Sequence, residues 1–197
     1  MDETVKRVLN IKNKYKLDFV KFYDENFLSN PKREEAIAEG IDNQVQWSIQ
    51  ARMDNILMVD LKKLEKGGLR FVEPGVESGS NRILSLIAKD ETRETMLEAN
   101  KKLAETNIKS YCNFMMGFPT ETYEELMESI DFALRMIEEN KNAHISGFNT
   151  YMPYPGSALY PLALQYGFKS PESLEGWIDY TRQDQPTPWT QDKTEML

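Results

Sequence analysis

The sequence predicts an α/β fold in which parallel strands, each followed by an outer helix, curl into a partial barrel. Three observations carry this. Segments of strand character start near residues 17, 44, 69, 108 and 144 and are separated by helical segments throughout, which implies βαβ units with right-handed crossovers. About five strands are too few for a closed eightfold barrel, which takes ~250 residues. Several strands also have one apolar and one polar face, whereas parallel strands covered on both faces read as nearly continuous apolar runs. Lys21, Tyr23 and Glu25 share one face; so do Gln46, Ser48, Gln50 and Arg52, then Glu73, Gly75 and Glu77, then Tyr111, Asn113 and Gly117. An unpaired buried polar group costs ~1–3 kcal/mol. Polar side chains converging on one side of a parallel sheet therefore point to a ligand-filled or wet hollow.

The elements follow in order. Val5, Val8, Leu9 and Ile11 or Tyr15 have helical spacing, and a strand follows from about Leu17 to Tyr23. Asn30 and Pro31 supply an N-cap and first-turn proline for the helix through EEAIAEGI. QVQWSIQAR alternates cleanly, and ILMVDLKKLEKGG reads as one helix stopped by glycine. LRFVEPGVES is the third strand. NRILSLIAKDETRETMLEANKKLAETN is helical with a break near Asp90, and IKSYCNFMMGFP is the fourth strand. Thr122 with Glu125 forms a capping box, and Leu126, Ile130, Ala133, Leu134 and Ile137 are the stripe expected to dock on the sheet. AHISGFNTYMPYP is the last strand. Residues 1–169 thus form the barrel, and 170–197 a polar extension that either wraps it or stays partly disordered.

The chain of 197 residues is 40% hydrophobic and 28% charged, as expected of a globular domain. A net charge of −8 with no basic run argues against nucleic acid as partner. No apolar stretch approaches the ~18–20 residues of a membrane span, and MDETVKRVLN lacks a signal-peptide core. The expectation is a cytoplasmic protein with a small-molecule substrate. The single cysteine, Cys112, excludes an internal disulfide and an all-cysteine metal site built from this chain. His144, the sole histidine, lies at the strand end away from the chemistry and reads as a structural or surface residue.

In parallel βα folds the chemistry sits at the C-terminal strand ends. Those ends read DENF, ARMDN, GVESGS, MGFPTET and YMPYPGS. Glu73 and Glu77 are four rises apart, roughly 13 Å, which is too far for a glycosidase carboxylate pair at ~5–9.5 Å. Glu77 is the better placed to meet a ligand, and Glu73 is expected to pair with Lys21 or Arg52.

DENF, GVESGS followed by Arg82 and Leu84, MGFPTET, and PYPGS with Leu159 occur in an order that resembles the radical S-adenosylmethionine (SAM) superfamily. The likeness is greatest to the branch that often carries an N-terminal cobalamin-binding domain. The resemblance runs from about Leu17 to Tyr160. It implies a partial TIM-type barrel of six βα units, of which this chain supplies the last five. It also implies a [4Fe–4S] cluster, S-adenosylmethionine and, in some members, cobalamin. Reductive cleavage of the sulfonium to a 5′-deoxyadenosyl radical, with hydrogen abstraction or methyl transfer, is the implied chemistry.

Carried over residue by residue, Asp24, Glu25 and Asn26 hold the methionyl amino group and Arg52 its carboxylate. Glu77 with Ser78 accepts from the ribose hydroxyls. Gly117, Phe118 and Pro119 approach the adenine, and Tyr151 to Pro155, including Pro153, wall its other side. Alternatively, DENF is a plain turn and Arg52 a counter-ion of Glu73 or Glu77. The family's CxxxCxxC loop is absent, and Met1 falls on the helix that would follow it. The expectation is therefore a fragment of a longer enzyme, or less fittingly a natural degenerate homologue, that neither binds the cluster nor cleaves S-adenosylmethionine, with self-association along the open edge of residues 17–23 or the N-terminal helix rearranged to cover it. Two other readings are a non-catalytic nucleotide-binding barrel and a barrel lyase or aldolase using Lys21.

Overall fold

The computed structural model describes residues 3–181 and 187–190. Helix α1 (Glu3–Tyr15) precedes β1 (Phe19–Lys21), a short 3-10 turn (Phe27–Ser29) and α2 (Pro31–Ile41). Strand β2 (Gln46–Ala51) follows, then α3 (Met53–Met58), α4 (Leu61–Lys66) and β3 (Leu69–Glu77). Next come α5 (Asn81–Leu86), α6 (Arg93–Ala104), β4 (Lys109–Met116), α7 (Tyr123–Glu139) and β5 (Ala143–Thr150). Helix α8 (Tyr160–Gln165) and a 3-10 segment (Glu175–Thr181) close the described chain before its last four residues.

All four strand pairs are parallel, and the order is β1-β2-β3-β4-β5. A doubly wound sheet reverses its strand order at a switch point; this one never does. Right-handed crossovers in an unreversed order place every helix on the same side, as in a barrel. Trp47, Ile49, Val72, Val76, Cys112 and Phe114 alternate onto that side and join the main core. Strand β1 is an edge, only three residues long, and Phe19 is 39% exposed there.

Local chemistry explains the element ends. The Asn30 side chain accepts from the Arg33 amide, and the buried Glu34 carboxylate accepts from the Asn30 amide. Thr122 and Glu125 form the expected capping box. Thr92 caps α6, so the helix does break after Leu86.

Two expectations on helices are corrected. The segment read as one helix from Ile56 to Gly68 is two, α3 and α4, because the Asp60 side chain caps a new start by accepting from the Lys63 amide. Lys102 holds the broken end by donating to the carbonyls of Ile56, Leu57 and Val59. Helix α7 is also rotated from the expected stripe: Leu126, Ser129, Phe132, Ala133 and Met136 are buried, while Leu134 and Ile137 are exposed. Gly79 sets that rotation. A Cβ there would stand 2.6 Å from the Glu128 carbonyl oxygen and 2.7 Å from the Ser129 Cα, so the backbones touch and a small residue must face the contact. Ser129 does, and its hydroxyl accepts from the Gly79 amide.

Among the described residues no helix is long and apolar enough to cross a membrane.

Candidate adenosyl-binding site

The face of the sheet opposite the main core holds the residues that alternation assigned to a hollow. Lys21 Nζ lies 2.6 Å from Glu73 Oε2, although β2 runs between their strands. Two strand spacings are about 10 Å, so the pair closes only if both side chains leave the same face and lean across Ser48 and Gln50. Lys21 also stands over the Tyr23 ring at 5.0 Å. Expected on sequence grounds, this pair fixes which face is the hollow. It also bears on the lyase reading, because a Schiff-base amine needs an apolar or cationic setting and Lys21 has a carboxylate partner.

The hollow is less polar than alternation suggested. Toward the N-terminal strand ends, Phe19 and Phe71 lie 5.5 Å apart, Phe71 and Tyr111 5.7 Å, and Tyr111 and His144 5.1 Å, forming an aromatic floor. The charged pairs lie at the middle and at the C-terminal rim.

At the rim, β3 ends on Glu77 in the left-handed region at φ 67°. The turn folds the carboxylate back over Gly75, where a Cβ would collide with Glu77 Oε1. Burial pushes the Glu77 carboxyl above its usual range, partly offset by Lys89. Lys89 Nζ lies 3.7 Å from Glu77 Oε1 and 3.4 Å from Glu91 Oε2. Arg52 engages Asp54 through Nε and Nη2 at 3.1 and 2.9 Å and reaches Glu91 Oε2 at 3.8 Å. Glu91 in turn accepts from the Asp54 amide at 2.7 Å. Both cations thus meet at one buried carboxylate. Sequence reasoning missed Lys89 and Glu91. They sit in the helix break foreseen near Asp90, and the left-handed turns at Ala88 and Asp90 swing them back to the rim.

The other proposed contacts are distributed as follows. Asp24 and Glu25 are exposed, with Asp24 3.9 Å from Arg33. The Asn26 amide donates to Asn55 at 2.6 Å, tying the end of β1 to that of β2. Arg52 is no counter-ion of Glu73 or Glu77; its carboxylate partners are Asp54 and Glu91. Ser78 is fully buried, with its hydroxyl between Ser129 and the Ser80 amide, so it braces the turn beneath α7 instead of facing the rim. Gly117 turns at φ 75°, and Glu121 accepts from the Gly117 and Phe118 amides. Phe118 and Tyr151 are buried with ring centroids 5.3 Å apart, and Pro119 and Pro153 are buried beside them.

Arg82 locks the loop after β4. It donates to both Glu125 oxygens at 2.6 Å and to the Thr120 carbonyl at 2.9 Å. The Arg82 hydrogen bonds hold the Glu125 carboxyl down to about 2. A depressed carboxylate stabilises the fold above its unfolded value and loses that contribution as pH falls toward the folded value. Arg82 is half exposed, so Arg82→Met is expected to cost only about 1 kcal/mol at neutral pH. Urea melts of both proteins should converge as pH falls from about 4.5 toward 2; a difference that persists there would contradict the assignment.

The residues do not fit an iron–sulfur cluster. Cys112 is fully buried on the core side, where burial pushes its thiol up to about 12, and a cluster needs several thiolates. Among the described residues no group of three or more metal-ligating side chains occurs.

An unreversed parallel sheet with a charged rim at its C-terminal strand ends places the chain in the βα-barrel class. Residues 1–133 match the profile of the radical SAM superfamily, and the chain belongs to that superfamily. It is 30% identical over 155 residues to an uncharacterized methyltransferase of Pyrococcus horikoshii, covering 76% of this chain and 32% of that protein. Among solved structures, the radical S-adenosylmethionine methyltransferase TsrM of Kitasatospora setae, with cobalamin and a [4Fe–4S] cluster bound, shares the fold at TM-score 0.66 and 14% identity. That match covers 85% of this chain and 33% of TsrM. The cobalamin-dependent S-adenosylmethionine radical enzyme OxsB matches at TM-score 0.60 and 22% identity, covering 66% of this chain and 22% of its own. The chain therefore spans about a third or less of these relatives.

Proposed function

We propose that this chain is the adenosyl-binding part of a radical SAM enzyme, acting on a small-molecule substrate by methyl transfer or oxidoreduction. The observation that carries the reading is the rim cluster, in which the half-buried Glu77 carboxylate adjoins Lys89 at the end of a barrel strand, and Lys89 and Arg52 meet at the buried carboxylate of Glu91. Glu77 accepts from the ribose hydroxyls. Lys89 and the Nη1 of Arg52, the guanidinium nitrogen not engaged by Asp54, pair the methionyl carboxylate in charge-assisted bonds. Asp24 and Glu25, exposed beside Asn26, take the amino group. Gly117 to Pro119 and Tyr151 to Pro153 enclose the base.

S-adenosylmethionine supplies a sulfonium whose reductive cleavage gives the superfamily its radical chemistry. This chain's part is to orient that ligand and to keep water from it. The thiolates for a cluster lie outside these residues, so the chain alone leaves the sulfonium intact. Methyl transfer, and cobalamin as a further cofactor of the longer enzyme, are supported by the names of the relatives; no residue here is assigned to cobalamin.

Calorimetric titration of S-adenosylhomocysteine into the chain tests the reading. Saturable binding at one site is expected, with no 5′-deoxyadenosine released from S-adenosylmethionine under reducing conditions. Absence of saturable binding in the millimolar range would overturn it.

A further inference from the structure

We propose that the turn bearing Trp189 is an internal competitor for this site: its indole occupies the seat of the adenosyl base and leaves when an adenosyl compound binds. The inference rests on the adenosyl reading above. Trp189 Nε1 donates to the Gly117 carbonyl at 2.8 Å. The indole packs on the satellite cluster of Ile83, Phe118 and Tyr151, which is separate from the main core. Gly117 and Phe118 belong to one of the two segments assigned to the base, and Tyr151 to the other, so the indole stands where the two converge.

The turn is built to present this side chain. Thr187 and Thr190 close it, with the Thr187 amide donating to Thr190 Oγ1 at 2.9 Å and the Thr190 amide to the Thr187 carbonyl at 2.9 Å. Thr187 is 1% exposed. An indole and an adenine are both flat fused bicycles with an N–H donor at the edge, the ring N–H in indole and the exocyclic 6-amino group in an adenosyl compound, and either can serve the Gly117 carbonyl. They differ in acceptors. Indole offers its N–H as a donor only, whereas a purine also has ring nitrogens that accept. The Tyr151 hydroxyl shows the difference. Tyr151 is 7% exposed, and its hydroxyl makes no well-aligned hydrogen bond among the described residues, although the Ser157 hydroxyl stands near it. The neighbouring Ser157 hydroxyl donates to the Tyr154 carbonyl instead. A surrogate that satisfies the carbonyl and leaves the phenol orphaned is what an indole in a purine seat would be.

The probe is 5′-methylthioadenosine, which carries the adenosyl group without the sulfonium charge, titrated into the 197-residue chain. The Trp189 indole 15N–1H signal, identified by its loss in Trp189→Phe, reports the seat in the native sequence. Calorimetry gives the affinities of the native chain and of Trp189→Ala. On saturation the Trp189 N–H is expected to lose its hydrogen-exchange protection, and Trp189→Ala to bind about tenfold tighter, since the competent state no longer has to be freed. Equal affinity, weaker binding by Trp189→Ala, or an indole still protected in the saturated complex would each overturn the competitor and leave the adenosyl reading standing. Absence of binding by both proteins overturns that reading, and the competitor with it.

Discussion

Trp47→Ala is expected to destabilise the chain by about 3–5 kcal/mol, the largest effect of any single change considered. Trp47 is fully buried on the helix-facing side of β2. Its ring lies 5.7 Å from Phe22 and 5.8 Å from Phe27, and its indole N–H donates to the Gly67 carbonyl at 3.0 Å. Truncation removes the packing against both aromatic rings and leaves that carbonyl with only the Asn43 amide as donor. Trp47→Phe keeps most of the volume and loses only the hydrogen bond, so about 1–2 kcal/mol is expected. Phe27 follows Asn26, which ties the ends of β1 and β2, so the cavity also loosens one side of the rim. Chemical denaturation measures both variants. A loss below about 1 kcal/mol for Trp47→Ala would show that the aromatic cluster does not hold β1 to β2.

Glu77→Ala is expected to weaken binding of adenosyl compounds about a hundredfold, the cost, on the proposed function, of losing a charged acceptor for two ribose hydroxyls. Stability should move the other way. A buried carboxyl with a raised value in the folded chain favours its protonated form there, so its contribution is present below the unfolded value and is lost as pH rises through the folded one. Near neutral pH the carboxylate is therefore a liability to the fold, and Glu77→Gln is expected to flatten the decline in stability between pH about 4.5 and 7. The left-handed backbone adds a second liability, at φ 67° on a residue with a side chain. Glu77→Gly is expected to raise stability by about 0.5–1 kcal/mol while losing binding. Calorimetry and urea melts of the same three variants test this opposition; variants that lose binding and stability together would mark Glu77 as purely structural.

Much of the fold is legible in the sequence because its signals are local. Period-two alternation in QVQWSIQAR places Trp47 and Ile49 on the helix side and Gln50 on the other, and the structure agrees. Asn30 and Thr122 start the helices they cap. The pairing of Lys21 with Glu73 was readable as well, since two opposite charges of the same parity on a shared face have few other partners. The aromatic floor was not, because Phe19, Phe71, Tyr111 and His144 each look unremarkable in their own strands and become a stack only when the register aligns them.

By itself, then, the sequence determined the order and direction of the strands, the face that most strand residues take, and the superfamily whose motifs sit at the strand ends. Packing alone decided the rest. The closeness of Gly79 to α7 chose the helix face, the left-handed turns after α5 brought Lys89 and Glu91 to Glu77, and a distant tryptophan found the carbonyl of Gly117. Alternation and capping act over a few residues, whereas these contacts join positions tens of residues apart. Their distances depend on how backbones fit, which no local pattern encodes.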